Sequence, residues 1–326
     1  MEFRFSEEQE KFRQEVRDFL EAEIKKGVFK PSNDAWVLQE DTELGQDVAK
    51  KGWIGLTWPR EYGGGGRGYL DRLVMHEEFM RYGASMAFLM GDRQMGPAII
   101  DYGTEEQKKY FLPRIVRNEL RFAAGMSEPE AGSDLANIKT KAVEDGDSFV
   151  INGQKLWTSR AHLCDYIYML VRTTADPALP KYRGLSDLIV DLKTPGITVK
   201  PVIDMTGGHK WNEVFFDNVR VPKTTLIGKK DSGWFQHMSH LDHERSGIER
   251  LMANYFMLVK ITEYCKNTKR NGTTLWEEGW VRHLLTDLFI KLEVGKMLIY
   301  RVAWLIDHHE ILATDKLALT KATSLA

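Results

Sequence analysis

Two short stretches of this chain carry the residue types that could do chemistry. The first, residues 126–134, reads MSEPEAGSD and places the hydroxyls of Ser127 and Ser133 on a turn that Pro129 and Gly132 shape. Backbone amides and hydroxyls on such a turn suit an anion or the polar edge of a ring. Turns of this composition are common, so this stretch alone indicates a ligand site only weakly.

The second stretch, residues 151–159, reads INGQKLWTS. Its Asn152-Gly153 pair predicts a hairpin turn, and the strand that follows carries Trp157 beside two hydroxyl residues. An aromatic face next to hydroxyls suits a planar heteroaromatic group that needs stacking and hydrogen bonds at its edge. A tryptophan in a strand is more often part of a core, so this stretch alone is also a weak indication.

Together, in this order and spacing, the two stretches closely resemble the flavin-binding segment of acyl-CoA dehydrogenases. The phrases GLTWPREYGG, GTEEQKKYFLPRI and FFDNVRVPKTTLIG are also similar to that family, so the resemblance covers nearly the whole chain. It implies that the bound ring is the isoalloxazine of FAD. It assigns the contacts with FAD to Met126, Ser127, Ser133, Trp157, Thr158 and Ser159, with Ser133 near the pyrophosphate or the pantetheine of the substrate.

Hydrophobic periodicity divides the chain into three parts. A helical pattern covers residues 1–120, short alternating segments between turns cover 121–228, and helical periodicity returns over 229–326. This order predicts an α+β protein with an N-terminal helical domain, a middle antiparallel β domain and a C-terminal helical bundle. The chain stops inside the last helical pattern, and the family resemblance implies further helices, so we expect the C-terminal bundle to be incomplete.

Local signals place the elements within these parts. Capping boxes at Ser6–Gln9 and Thr104–Gln107 predict two helix starts. The expected helices cover residues 1–26, 35–51, 70–90, 232–267 and 275–309, with a last helix from about 315. The expected strands include residues 149–151, 166–171, 188–190, 197–199 and 214–216.

Desaturating an acyl thioester requires a carboxylate that takes the α-proton, an acceptor for hydride and donors to the thioester carbonyl. No side chain accepts hydride, so a cofactor must do so. Glu244-Arg245, within HLDHER, resembles the pair of those family members that carry their base on this helix, whereas other members use an acid in the C-terminal segment. The resemblance implies that Glu244 is the base and that Asp242 and Arg245 lie near the substrate. A solvated carboxylate within an ion network of the helix is the alternative.

The FAD phosphates in this family are often held by an arginine after the first long C-terminal helix, supplied to a neighbouring subunit. That position holds Thr268 here, and the resemblance assigns the contact to Arg270, two residues on. A glutamine common on the next helix is replaced by Gly279. These departures leave room for weak flavin binding or for a site that a different partner chain completes. A surface basic cluster is the alternative for Arg270.

Composition excludes several classes of function. The 326 residues hold 45 basic and 47 acidic side chains, a net charge of −2 that favours neither nucleic acid nor an anionic membrane. No apolar run is long enough to span a bilayer. The two cysteines, Cys164 and Cys265, form neither a metal-binding spacing nor a disulfide framework. We expect a cytoplasmic protein without a resident metal.

The resemblance implies an FAD-dependent acyl-CoA dehydrogenase that forms a 2-enoyl-CoA and passes electrons to an electron-transfer flavoprotein. It implies a homo-oligomer, dimer or tetramer, with a heteromeric assembly as an alternative. The residues do not identify the acyl group. Two other functions stay open: a flavin oxidase or monooxygenase on the same fold, and a partner subunit that holds only half a site.

Overall fold

The computed structural model describes residues 4–33, 35, 42–238 and 248–308. The chain forms two compact units. The helical unit takes its residues from Met1–Lys51, Gly65–Ala87 and Glu244–Ala326, and the β unit from Gly52–Gly64 and Phe88–His243. This division does not decide the predicted domain limits 1–120, 121–228 and 229–326, which stay a prediction.

The helical unit is built from helices that are far apart in the sequence. The capping box at Ser6 is confirmed, since the Gln9 amide donates to the Ser6 hydroxyl and the Ser6 amide donates to the Gln9 side chain. A short hairpin, Lys269–Arg270 with Thr273–Thr274, follows the fourth of these helices. The helices are α1 (Glu7–Lys26), α2 (Thr42–Lys50), α3 (Tyr69–Arg81), α6 (Glu249–Asn267) and α7 (Gly279–Asp307).

One helix prediction is corrected by the structure. The helix expected over 70–90 ends at Arg81, because Gly83 takes φ +58° and the amides of Gly83 and Ala84 bond back to the last carbonyls of α3. The helix expected over 232–267 is represented by helical residues 233–238 and by α6, and residues 239–247 lie outside the described residues. The start expected near 315 also lies outside them.

A cluster of buried charges connects α1, α3 and α7. Arg13 donates to Glu77 Oε2 and to Glu78 Oε1, both at 2.7 Å, and the Tyr300 hydroxyl donates to Glu77. Arg17 donates to Glu78 at 2.9 Å. We call Arg13, Arg17, Glu77, Glu78, Arg81 and Tyr300 the charged cluster.

The charged cluster holds Glu77 in its ionised form. Burial alone would raise the pKa of Glu77, but Arg13, the Tyr300 hydroxyl and Arg81 together lower that pKa to about 2. The cluster lines part of a cavity of about 860 Å³. None of the predicted FAD-contacting residues lines this cavity, and the acids and bases of the cluster are paired with one another, so we assign it a structural role.

The β unit is organised around one eight-stranded sheet. The strands are β1 (Phe122–Gly125), β2 (Lys141–Asp145), β3 (Ser148–Ser159), β4 (Tyr166–Arg172), β5 (Leu185–Asp191), β6 (Ile197–Ile203), β7 (His209–Pro222) and β8 (Leu226–Ile227). The strand order is β6-β7-β3-β2-β4-β5-β8, and β1 pairs with β4 in parallel. Most pairings are antiparallel, as predicted, and β2 meets β4 in parallel at a single pair of residues.

The core of the β unit follows the alternation seen in the sequence. The inward residues of β3, Phe149 and Ile151, are almost completely buried, as are Ile167 and Met169 of β4. The helices α4 (Gly96–Tyr102) and α5 (Glu105–Val116) belong to the same unit, and a π-helical turn, Gly91–Met95, leads into α4. The capping box predicted at Thr104 is confirmed.

The hairpin predicted at Asn152-Gly153 is wrong. The β2–β3 turn lies at Gly146 and Asp147, beyond the terminal pair Asp145↔Ser148, and Gly146 takes φ +58°. Asn152 and Gly153 lie inside β3. The Thr140 backbone occupies the space beside Gly153, where an added Cβ would lie 2.6 Å from the Thr140 Cα, so close packing explains this glycine.

Among the described residues, no helix combines the length and the apolar character needed to cross a membrane.

Candidate functional site

A bulge near the end of β3 presents Trp157. Opposite β7, Lys155 pairs with Val214 and Thr158 with Asn212, so β3 holds one more residue than its partner across this interval. Trp157 takes φ +59°, a left-handed conformation that is strained for a bulky side chain, and 55% of its surface is exposed. Strained, exposed aromatic residues of this kind occur at binding sites, where the surroundings enforce the conformation.

A side chain of β7 forms a hydrogen bond with the backbone beside Trp157. The Asn212 amide donates to the Thr158 carbonyl at 3.0 Å, and both residues are fully buried. The Asn212 side-chain oxygen accepts from His209 at 2.8 Å and from His162 at 3.2 Å. The two imidazoles stack with centroids 3.7 Å apart, and burial together with the nearby His209 lowers the pKa of His162.

The structure brings the turn of the first sequence stretch onto β3. The Leu156 amide, directly before Trp157, donates to the Ser127 carbonyl at 2.8 Å. Met126, Ser127 and Ser159 are half-buried, so each keeps part of its surface accessible. The two stretches singled out in the sequence therefore meet at one place in the β unit.

Ser133 lies on an exposed part of the same turn, beside a loop that the sequence did not single out. Asp134, its neighbour, forms an ion pair with Lys181 at 3.6 Å. The ring of Tyr182 lies edge to face with Phe235 at 6.0 Å, and the Arg183 guanidinium lies 5.4 Å from the Phe235 ring centre. Phe235 is 55% exposed, which leaves an aromatic and basic surface next to Ser133.

No local pattern predicts this aromatic surface. Phe235 falls in a stretch whose helical periodicity conceals its exposure, and Tyr182 and Arg183 follow Pro180 in a loop without periodicity. The one signal of this surface in the sequence is Tyr182-Arg183-Gly184, in which an aromatic and a basic residue precede a turn glycine. Gly184 takes φ +71° there.

Of the four remaining predicted site residues, the structure describes only Arg270. Asp242, Glu244 and Arg245 lie outside the described residues, so the structure provides no geometry for them. Arg270 lies in the helical unit, on the exposed hairpin after α6. Its guanidinium forms no ion pair within the described ranges.

Comparisons with known proteins decide the family. The models of the N-terminal, middle and C-terminal domains of acyl-CoA dehydrogenases match residues 6–119, 123–219 and 231–325. Acyl-CoA dehydrogenase FadE26 of Mycobacterium tuberculosis is 36% identical over 309 residues, which cover 93% of this chain and 77% of that protein. The chain belongs to the acyl-CoA dehydrogenase family.

Two further relatives are chains of multi-subunit complexes. The ChsE4-ChsE5 complex of Mycobacterium tuberculosis contains a chain that is 34% identical, with a TM-score of 0.84, covering 99% of this chain and 82% of that one. The caffeyl-CoA reductase-Etf complex subunit CarC of Acetobacterium woodii is 29% identical over 99% of this chain and 83% of its own length. Acyl-CoA dehydrogenases are oxidoreductases that act on acyl-CoA, and they are FAD flavoproteins.

The residues of the β unit fit a flavin. The Trp157 indole is exposed, and Ser127 on the turn and Ser159 at the end of β3 each keep part of their surface accessible. Hydroxyl groups at such a surface can both donate to and accept from a ring edge. A planar ring with nitrogen and oxygen atoms at its edge would stack against the indole and bond to these hydroxyls.

Proposed function

We propose that this chain catalyses the α,β-dehydrogenation of an acyl-CoA thioester to the 2-enoyl-CoA, with electrons passing to an electron-transfer flavoprotein. The observation that carries the proposal is the hydrogen bond from the Leu156 amide to the Ser127 carbonyl, at 2.8 Å. It joins the hydroxyl-bearing turn to the Trp157 bulge, so that both stretches can contact one flavin. Family membership supports the reaction type.

The flavin-contacting residues in this proposal are those of the turn and the bulge. Trp157 provides a ring face, and the side chains of Ser127 and Ser159 provide hydroxyls for the ring edge. Met126 and Thr158 add backbone contacts, and Ser133 lies on the side of the pyrophosphate or pantetheine. FAD, when bound, supplies the acceptor for the hydride that leaves the substrate Cβ.

Glu244 is the base in this proposal. Its carboxylate takes the proton from Cα while the hydride leaves Cβ, so a double bond forms between these carbons and Glu244 ends protonated. Asp242 and Arg245 would lie near the substrate. The support for these three roles is the likeness of the sequence around Glu244-Arg245 to family members with a base on this helix.

The exposed surface formed by Lys181, Tyr182, Arg183 and Phe235 is proposed to bind part of the CoA. Aromatic faces suit an adenine ring, and a lysine and an arginine suit phosphate groups. The ion pair between Lys181 and Asp134 brings this surface to the turn that carries Ser133. The CoA end of the substrate would therefore meet the β unit at one continuous surface.

The experiment that tests the function is a spectral titration of the 326-residue chain. The protein is purified, its visible spectrum is recorded, and FAD is added if the protein is colourless. A panel of straight-chain, branched, cyclic and dicarboxylic acyl-CoA thioesters is then added without oxygen. Bleaching of the flavin with formation of an enoyl-CoA supports a dehydrogenase, and absence of bleaching with every thioester contradicts it.

The same preparation separates the oxidase alternative. Turnover in air with rapid oxygen consumption would indicate a flavin oxidase or monooxygenase on the same fold. Turnover that requires an electron-transfer flavoprotein supports the proposed acceptor.

A cytoplasmic location stays a prediction.

Trp157 provides a test of flavin stacking that is separate from catalysis. Trp157→Gly is expected to weaken FAD binding by about tenfold, the value of one aromatic stacking contact. The FAD-free protein should keep its unfolding midpoint, because the side chain is 55% exposed and glycine relieves the strain at φ +59°. Fluorescence titration with FAD and thermal unfolding measure the two effects. Trp157→Phe should retain most of the affinity, and unchanged affinity in the glycine variant would contradict the assignment.

A second candidate function is a half-site subunit of a heteromeric acyl-CoA dehydrogenase. Thr268 and Gly279 stand where the family commonly has an arginine and a glutamine for the FAD phosphates. The likeness to a chain of the ChsE4-ChsE5 complex supports the same idea. In this function, Arg270 would not contact FAD, and a different chain would complete the adenine side of the site.

The two assemblies predict different outcomes for one double variant. Thr268→Arg with Gly279→Gln restores the residues common in the family, and an added Cβ at Gly279 meets no atom within 4 Å. If the chain forms a homo-oligomer, FAD affinity should rise by about tenfold or more, the value of one charge-assisted contact with phosphate. Equilibrium dialysis measures the FAD affinity of the double variant, of wild type and of Arg270→Ala. No change in the double variant would favour the half-site subunit.

A further inference from the structure

A buried ion pair lies directly before the Trp157 bulge. The Lys155 side chain, in β3, is fully buried, and Glu128, on the turn, is almost so. Lys155 Nζ lies 2.8 Å from Glu128 Oε1 and donates to the Met126 carbonyl at 3.2 Å. Burying a cation is costly unless it is paired and hydrogen-bonded. The turn provides both acceptors, so the burial of Lys155 in β3 depends on the turn being in place.

The Glu128 carboxylate also holds the chain that enters β2. It accepts from the Lys139 amide at 2.6 Å and from the Thr140 amide at 3.0 Å. The backbone of Glu128 closes the turn through two hydrogen bonds with Ala131. Burial alone would raise the pKa of Glu128, but Lys155 and these hydrogen bonds lower it, so the carboxylate stays ionised.

The pair and one backbone bond together fix the register between the turn and β3. Lys155 holds the Met126 carbonyl, and the next residue, Leu156, holds the Ser127 carbonyl. Trp157 follows at once in the sequence. The residues proposed to contact the flavin from the turn are therefore attached to the two positions that precede the exposed indole.

We propose that Lys155 and Glu128 form a positioning pair that sets the spacing between the 126–127 backbone and the Trp157 bulge, and so the geometry with which the chain holds its flavin. This inference rests on the proposed function, in which both segments contact FAD. Neither residue is assigned a contact with substrate or cofactor; they act through Met126, Ser127 and Trp157.

A purely stabilising role would have a different signature. Buried ion pairs can often be replaced by uncharged residues of similar volume without loss of stability. Only a donor at position 155, however, can hold the Met126 carbonyl. Removing both charges therefore separates the two roles, because a purely stabilising pair would change the midpoint and leave the environment of bound flavin unaltered.

The test compares wild type with Lys155→Met/Glu128→Gln in the full 326-residue chain. FAD affinity is measured by fluorescence titration, the flavin environment by visible circular dichroism of the bound cofactor, and stability by the unfolding midpoint without FAD. The double variant is expected to lose at least tenfold in FAD affinity and to change the circular dichroism. Its midpoint should fall moderately, because the Met126 carbonyl and one of the Lys139 and Thr140 amides lose their partners, so the circular dichroism of the bound cofactor decides the positioning role. Wild-type affinity and an unchanged spectrum would overturn the inference.

A second variant keeps the test decisive if the double variant does not fold. Glu128→Asp keeps the charge but withdraws the carboxylate by one methylene, and it is expected to change the circular dichroism and lower the affinity several-fold; an unchanged spectrum would overturn the inference. The control is Lys223→Met/Glu144→Gln, which removes the exposed ion pairs of Glu144, in β2, with Lys223 and Lys230 and should change neither. Wild type that binds no FAD contradicts the proposed function itself. If wild type binds FAD and the variants bind it equally tightly, only the positioning role is contradicted.

Discussion

Glu244→Gln is expected to slow the bleaching of bound flavin by acyl-CoA by about 10²- to 10⁴-fold, the contribution of a positioned general base. Glutamine has nearly the same size but cannot take the α-proton, so the C–H bonds of the substrate stay intact. FAD should remain bound, because none of the proposed flavin contacts involves this residue. Stopped-flow absorbance with the preferred acyl-CoA measures the rate, and the visible spectrum measures the bound FAD.

A matched control separates the base from a general effect of charge. Glu263→Gln removes an exposed carboxylate of α6 that pairs with Lys260, and it should leave the bleaching rate unchanged. Rapid bleaching in Glu244→Gln would show that another group takes the proton. An acid in a C-terminal segment, or on a partner chain, would then be the base.

Glu77→Gln is expected to destabilise the helical unit by about 3–5 kcal/mol at neutral pH, the cost of removing one partner from a buried ion pair. Arg13 would keep Glu78 but lose its bond to Glu77, and the Tyr300 hydroxyl would lose a charged acceptor. Urea unfolding followed by far-ultraviolet circular dichroism measures the loss. Asp287→Asn, which removes an exposed pair with Lys291 on α7, should leave the midpoint nearly unchanged.

The pH dependence provides a second test of the charged cluster. The pKa of Glu77 is lowered from its ordinary value of 4.5 to about 2, so its ionised form stabilises the folded state. That contribution is fully present above about pH 4.5 and is lost as the pH falls through 2. The difference in stability between wild type and Glu77→Gln should therefore be constant from pH 7 to 5 and shrink between 4.5 and 2. A constant difference down to pH 2 would contradict the role of the ionised carboxylate.

Much of the fold was predictable because its signals are local. The capping boxes at Ser6 and Thr104 need only four consecutive residues, and the alternation of Phe149 and Ile151 marks the inner face of β3. The predicted order of helices, strands and helices follows from such patterns. The division into two units could not be predicted this way, because it depends on contacts between segments that are far apart in the sequence.

The failures have the same physical origin. Asn152-Gly153 is a hairpin signal by composition, yet the glycine is required by the nearby Thr140 backbone, which belongs to another segment. Local pattern also assigns a helix through Gly83, where a left-handed glycine ends α3. The sequence shows the two stretches of the candidate site but not how they are held. The bulge at Trp157 depends on the pairing of β3 with β7, and the burial of Lys155 depends on the turn that carries Glu128.

The charged cluster also constrains the order in which the chain can mature during translation. Glu77 and Tyr300 are 223 residues apart, so at about 5–20 residues per second the ribosome releases the tyrosine about 10–45 s after the glutamate. Arg13 and Glu77 can meet early, but α7 arrives only after the whole β unit has been synthesised. The N-terminal helices therefore lack the Tyr300 contact until α7 has been synthesised, which gives chaperones a long interval in which to bind them.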